Sequence, residues 1–388
     1  PLAQVLYIKS QDDSYPRPLL VLVTEYKLEL INVNCYDSSK HFQKEEMILS
    51  EQFLIGTYTK KDSKGAYMVT LDNGKLTDVK LAIPSQKPAY LQVGSDQRVY
   101  AVKQDGDQAG VATYDLDGDQ ANTLSTFMEE GPAPAYVGLD EQRHLLYSAN
   151  YHTANVEVFK VAADGSLTRT DVVTHQGETG PEPEQEAPHV HYADLTPDQR
   201  LIVCDLGMDL IVVYDVSADG KLTAVSRFKF EPGFGTRHLI FHPNGKYVFV
   251  LGELSSKLAV LKYNAADASF EHLQTIKTIP ADWTAHNGAA AIRMSKDGKF
   301  IYTSNRGENT IAVFAVQPDF TVKHIQSIST EGDFPRDFNL SCDESYLLAS
   351  NLNTDNLTLY QRDAATGKLA LLQKDVACPE PVCVQRFN

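Results

Sequence analysis

The sequence has no apolar run approaching the roughly 18 residues that a membrane-spanning helix needs, so no membrane partner is expected. Its start, PLAQVLYIKSQDDSYPRPLL, lacks a basic region followed by an unbroken apolar stretch, so no secretory signal is read there. The five cysteines, Cys35, Cys204, Cys342, Cys378 and Cys383, are odd in number, scattered and without a CxxC pair. A reduced, cytoplasmic protein is expected. Cations are scarce: 35 Lys and Arg stand against 51 Asp and Glu, a formal net charge of −16. Phosphate backbones need basic surface, so a nucleic-acid partner is not expected. An acidic protein that binds an anion must gather its few cations in one place, which makes clustered Arg and His informative. Helix-period stretches are missing, and so are G-x-S-x-G, H-E-x-x-H and P-loop motifs. Asp115–Gln120 (DLDGDQ) has the look of a calcium loop, but its glycine is misplaced and no Glu stands at the twelfth position. It reads as a hairpin turn. Gly233–Gly235 (GFG) is too short for a dinucleotide fingerprint and precedes a strand.

What is present is β signal. From Gln52 onward, short runs of Val, Ile, Tyr and Phe alternate with Asp-Gly, Asn-Gly and Pro-containing turns, as in LDNGKLT (Leu71 to Thr77) and SADGKLT (Ser217 to Thr223). The stretch Gly233 to Glu253, GFGTRHLIFHPNGKYVFVLGE, reads as turn, strand, tight turn, strand. Copies begin at Ser95, Glu141, Pro197, Pro243, Lys296 and Cys342 when aligned on the turn after the first strand. They recur roughly every fifty residues, the range for four-stranded propeller blades. Pro381 to Phe387 (PVCVQRF) resembles an isolated first strand, and Gln52 to Thr77 the other three strands of a blade. Together they make a seventh blade. The expected fold is all-β, a seven-bladed β-propeller over 47–388 whose last blade is closed by N- and C-terminal strands, which removes open sheet edges. Residues 1–46 carry no copy of the repeat, and Met47 is the first methionine. They are expected to be an extension outside the repeat pattern, from an over-called upstream start; an extra strand pair packed on the domain is the alternative.

In a propeller the innermost strand of each blade begins, and the second strand ends, on one face. Residues flanking those points converge on the channel mouth. Before the innermost strand the equivalents are Ala89, Ala135, His191, Arg237, Ala290 and Arg336. After the second strand they are Asn150, Asp205, Glu253, Asn305 and Asn351. Short Asn and Asp there read as turn residues bonding their own backbone; Glu253 breaks the pattern. Arg306 adds a cation at the same rim, and His286-Asn287 lies in the loop leading to the fifth complete unit. His191, Arg237, Glu253 and Arg306 are therefore expected around one cavity, with Arg336, His286 and Asn287 as substrate-binding candidates. A structural Arg237–Glu253 ion pair is the plain alternative. His189 and His238 neighbour the key positions and stand as substitutes for them. The insertion His175 to His191 either covers the pocket or is a tolerated surface loop.

Ile55 to Tyr67 (IGTYTKKDSKGAY), His189 to Asp198 (HVHYADLTPD), Gly233 to Tyr247, Tyr302 to Phe314 (YTSNRGENTIAVF) and Glu331 to Phe338 (EGDFPRDF) resemble the seven-bladed propeller lactonases. That family includes metal-independent bacterial 6-phosphogluconolactonases and fungal carboxy-cis,cis-muconate cyclases. The resemblance covers about 50–388. It implies a hydrolase without metal or cofactor, acting on a small anionic sugar lactone, as a monomer or weak homodimer. It also implies catalytic roles for a His, two Arg and a Glu, which by motif fall on His191, Arg237, Arg306 and Glu253. Lactone opening needs a water nucleophile, a base and charge stabilisation at the carbonyl oxygen. His191 is the preferred base, because an Arg partner would hold Glu253 ionised; Arg237 and Arg306 would divide phosphate binding and oxyanion stabilisation.

Overall fold

Runs such as Leu201–Asp205 and Tyr247–Gly252 are too apolar on both faces for an ordinary surface sheet, and their surroundings explain it. In the computed structural model, which describes residues 3–8, 17–24, 27–32, 50–117 and 120–387, they are second strands of sheets packed between two neighbours. Seven four-stranded antiparallel sheets follow one another from Glu51 to Arg386. Leu145–Ala149 and Leu201–Asp205 are buried at every residue, whereas the outermost strand Leu222–Lys229 alternates toward solvent. Large side chains between sheets, among them Phe159, Phe249, Phe314 and Tyr360, have no exposure. Each contributes roughly 1.5–3 kcal/mol through burial.

The seventh sheet joins the two ends of this unit. Pro381–Arg386 pairs antiparallel with Glu51–Thr57, followed by Gly65–Asp72 and Lys75–Pro84. Asn73 and Gly74, at φ 49° and 72°, make the two-residue turn expected from Asn-Gly. Asp115–Gln120 lies where Gln108–Asp117 and Gln120–Glu130 form a hairpin; residues 118–119, at its tip, lie outside the described residues.

The chain divides into two compact units, Pro1–Ser50 and Glu51–Asn388. In the first, Ala3–Ile8, Arg17–Thr24 and Lys27–Asn32 form a three-stranded antiparallel sheet. The division falls after Ser50, slightly beyond the expected boundary at residue 46.

Candidate active site

A shared irregularity aims side chains at the channel mouth. Pairing between innermost and second strands skips one residue in four sheets: His191, Arg237, Arg336 and Val382. A bulge breaks the two-residue alternation of a strand and turns consecutive side chains to one side. All four line a single cavity of about 220 Å³, as do Arg237's and Arg336's successors, His238 and Asp337. This is below the roughly 300–1,000 Å³ of pockets for drug-sized ligands and suits a small metabolite.

The second-strand register corrects one equivalence. Asn150, Asp205, Asn305 and Asn351 occupy one place, and Gly252, not Glu253, shares it, since Gly252 pairs with Lys257 as Asp205 does with Leu210 and Asn305 with Thr310. A Cβ on Gly252 would lie 2.6 Å from the Phe234 carbonyl oxygen, so no Asn fits there. The next place holds Tyr58, Leu206, Glu253 and Leu352, whose N–H groups bond the residue preceding the innermost strand. Tyr151 and Arg306 follow Asn150 and Asn305 in the same way. Tyr58, Tyr151 and Glu253 reach the cavity wall. The Asn and Asp residues are structural, as their types suggest: Asn305 and Asn351 donate to the carbonyls of Thr278 and Thr330.

The loop before Arg237 is fixed by Asp209, whose carboxylate accepts from the N–H groups of Gly233 and Gly235. Both glycines have positive φ, 82° and 68°. Arg237 then makes three bonds. Its Nε donates to the Ala290 carbonyl at 2.8 Å, and its Nη1 to His191 Nε2 and Glu253 Oε2, each at 2.6 Å. Arg306 Nη2 lies 2.6 Å from Glu253 Oε1, and its Nε donates to the Gly288 carbonyl. The result is a continuous chain from His191 through Arg237 and Glu253 to Arg306.

Guanidinium groups only donate, so His191 accepts at Nε2 and is neutral, with its proton on Nδ1. That Nδ1 is buried and has no partner among the described residues. Burial pushes the His191 pKa well below the usual imidazole range, and Arg237, Arg336 and Arg306 push it further. Burial opposes ionisation of Glu253, but Arg306 and Arg237 outweigh it and hold the carboxyl below the usual carboxylate range. Burial lowers Arg237 to about 10 against the pull of Glu253, which leaves it charged at neutral pH. The Glu253 side chain remains 18 % exposed, at the cavity.

Aromatic rings gather at one side of this cavity. Tyr90, Tyr136 and Tyr192 pack in succession as tilted rings, with centroids 4.2 and 4.6 Å apart, and His238 lies edge-on or tilted against all three. Tyr90 and His238 also line a second cavity on the far side.

Three expected binding residues are committed elsewhere. His286 is exposed and off the wall. Asn287 donates to Ser256 Oγ and accepts from the Glu308 N–H, which fixes a loop. His189 stacks on Tyr151 at 4.0 Å and bonds its carbonyl, so it supports a wall residue without being one. Arg306 backs Glu253 without lining the cavity. The insertion's turn, Pro183–Gln185, is pinned through Gln185 to the Leu206 carbonyl and Asp209, and only His191 of His175–His191 reaches the wall. Tyr58, Lys87 and Tyr151 line the cavity unannounced by the repeat comparison. The strand-end register would have found the two tyrosines; nothing in the repeat points to Lys87.

Residues 52–386 match the family described as Lactonase, 7-bladed beta-propeller. The chain belongs to that family. It is a lactone hydrolase on the propeller lactonase fold. A 6-phosphogluconolactonase of Bacillus subtilis is 40% identical over 339 residues, 85% of this chain and 97% of that one. A solved protein from Lactobacillus plantarum shares 54% identity at a TM-score of 0.86, covering 87% of this chain and 99% of its own. The structure of a periplasmic gluconolactonase of Pseudomonas aeruginosa is 29% identical at a TM-score of 0.82, covering 87% and 99%. Among the described residues of this lactonase no helix is long and apolar enough to cross a membrane.

Proposed function

We propose that this lactonase hydrolyses 6-phospho-D-glucono-1,5-lactone to 6-phosphogluconate, a step of the pentose phosphate pathway. The observation that carries the reading is the bonded chain of His191, Arg237 and Glu253 on the wall of a small cavity, backed by Arg306, in an otherwise acidic protein. The similarity to the Bacillus enzyme supports the choice of substrate.

The roles follow from the bonding. Arg237 Nη1 is the donor best placed to turn from His191 to the lactone carbonyl oxygen, where negative charge develops. That turn frees His191 Nε2 to take a proton from the attacking water. Water oxygen bonds to C1, the C1–ring oxygen bond breaks, and the ring oxygen leaves with the proton held by His191. The base is strengthened by its substrate: burial depresses the imidazole, Arg237 and Arg336 add to it, and a bound anion offsets the arginines. Glu253 keeps Arg237 and Arg306 in register. No step requires a metal or cofactor. That Cys204, Cys342, Cys378 and Cys383 are free thiols, Cys342 an exposed one, supports a cytoplasmic, reducing location. The residues 1–46 are proposed to stand outside the catalytic unit, since the family match begins at residue 52.

A panel of 6-phosphogluconolactone, glucono-1,5-lactone and a muconolactone tests the substrate, with each spontaneous rate subtracted. The phosphorylated lactone is expected to give the highest kcat/KM. A higher value for either other compound would replace this substrate.

A further inference from the structure

We propose that Arg336 and Lys87 form an anion subsite on the cavity wall that receives the phosphoryl group of the sugar lactone, leaving the His191–Arg237–Glu253–Arg306 chain for the ring. This assignment rests on the lactonase reading. It removes phosphate binding from Arg237 and Arg306.

Each of those two arginines already commits three of its five N–H donors to protein groups. Arg237 is held by Ala290, His191 and Glu253. Arg306 is held by the carbonyls of Gly288 and Ala289 and by Glu253, with its guanidinium 5.1 Å from the Phe334 ring centroid. Both share one carboxylate, which already offsets part of their charge.

Arg336 and Lys87 differ. Both line the cavity and both are partly buried. Among the described residues neither has a carboxylate partner. Arg336 lies 5.3 Å from the Tyr58 ring centroid. Lys87 Nζ donates to Gln104 Oε1 at 2.9 Å, one of its three N–H groups. Asp337, the nearest acidic wall residue in sequence, is bonded by Arg293 and accepts from the Val384 N–H. Burial lowers the Lys87 pKa; Tyr58 opposes the shift, and the nearby cations Lys60 and Arg336 add to it. Lys60 also stands 4.9 Å from the Tyr58 ring centroid, so Tyr58 is flanked by two cations.

Holding like charges together in a half-buried wall is unfavourable, and a phosphoryl group of charge about −1.5 to −2 neutralises the pair. Arg336 offers a planar fork and Lys87 a point charge, a combination suited to phosphate oxygens. Unphosphorylated gluconolactone would leave both unmatched. A phosphate there also sits within electrostatic reach of His191, whose pKa Arg336 depresses.

The test compares kcat/KM on 6-phosphogluconolactone and on glucono-1,5-lactone for the parent, Arg336→Gln, Lys87→Met and the double variant. Calorimetric binding of 6-phosphogluconate and gluconate accompanies it. Each single change is expected to lower the preference for the phosphorylated lactone by about 10–100-fold, the range for one charged hydrogen bond, mainly through KM. Loss of preference for 6-phosphogluconate over gluconate should follow in the binding data. Equal losses on both lactones, or an unchanged preference, would overturn the subsite. A parent that prefers the phosphorylated product yet hydrolyses neither lactone would overturn the hydrolase reading and leave the subsite standing.

Discussion

Arg237→Lys isolates the work of the guanidinium fork. The positive charge stays, so Glu253 keeps a cationic neighbour. One ammonium cannot reach Ala290, His191 and Glu253 with the planar geometry that Arg237 uses at 2.8, 2.6 and 2.6 Å. Losing the donor aimed at the developing oxyanion is expected to lower kcat by about 10²–10³, or about 2.7–4 kcal/mol of transition-state stabilisation. Leaving the Ala290 carbonyl without its donor should cost about 1–3 kcal/mol of stability. The fold should survive, because Arg306 still holds Glu253. Steady-state hydrolysis corrected for the spontaneous rate reads the first number, and denaturant unfolding the second. A kcat within threefold of the parent, with the expected loss of stability, would refute the oxyanion role and leave Arg237 as a structural ion-pair partner.

Other consequences follow from the same geometry. His191 must be neutral to accept a proton, and burial, with Arg237, Arg336 and Arg306, depresses its pKa in the free enzyme. Its activity therefore falls as pH drops through its pKa, and a bound anion raises that pKa. The acid limb of kcat should lie at higher pH than that of kcat/KM; coincident limbs in the two pH–rate profiles would contradict substrate strengthening of the base. His286→Ala should change kcat/KM less than twofold, since the side chain is exposed and off the wall; a tenfold loss would return it to the site. Deleting 381–388 removes the strand paired with Glu51–Thr57 and exposes a long apolar edge; size-exclusion chromatography should show aggregation, and a monodisperse product would contradict closure. Removing 1–46 should leave a folded enzyme with kcat/KM within twofold of the parent. Insoluble protein would instead make that segment part of the catalytic fold.

The propeller was legible because its determinants are local. Asn73-Gly74 dictates a hairpin, apolar runs dictate strands, and their recurrence dictates blades. PVCVQRF supplied the missing strand of the seventh sheet. The cavity wall was legible where the strand start itself supplies it, at His191, Arg237 and Arg336. It was less so where pairing decides. A bulge is set by hydrogen bonds between strands, so sequence could not show why Arg237 and His238 face the same cavity. One residue of register hid that Gly252 holds the Asn place and that Tyr58 and Tyr151 share the place of Glu253. His286 and Asn287 stood near the rim in sequence, but a loop residue's direction depends on tertiary contacts such as Asn287 with Ser256. Lys87 stands two residues before Ala89, outside the two positions that were compared between blades.

The most direct test is a coupled assay on freshly prepared 6-phosphogluconolactone with the parent beside His191→Ala. The account predicts parent turnover well above spontaneous ring opening, and a loss of about 10²–10⁴ on removing the base. A parent rate no faster than spontaneous hydrolysis, or a His191→Ala rate equal to the parent's, would contradict it.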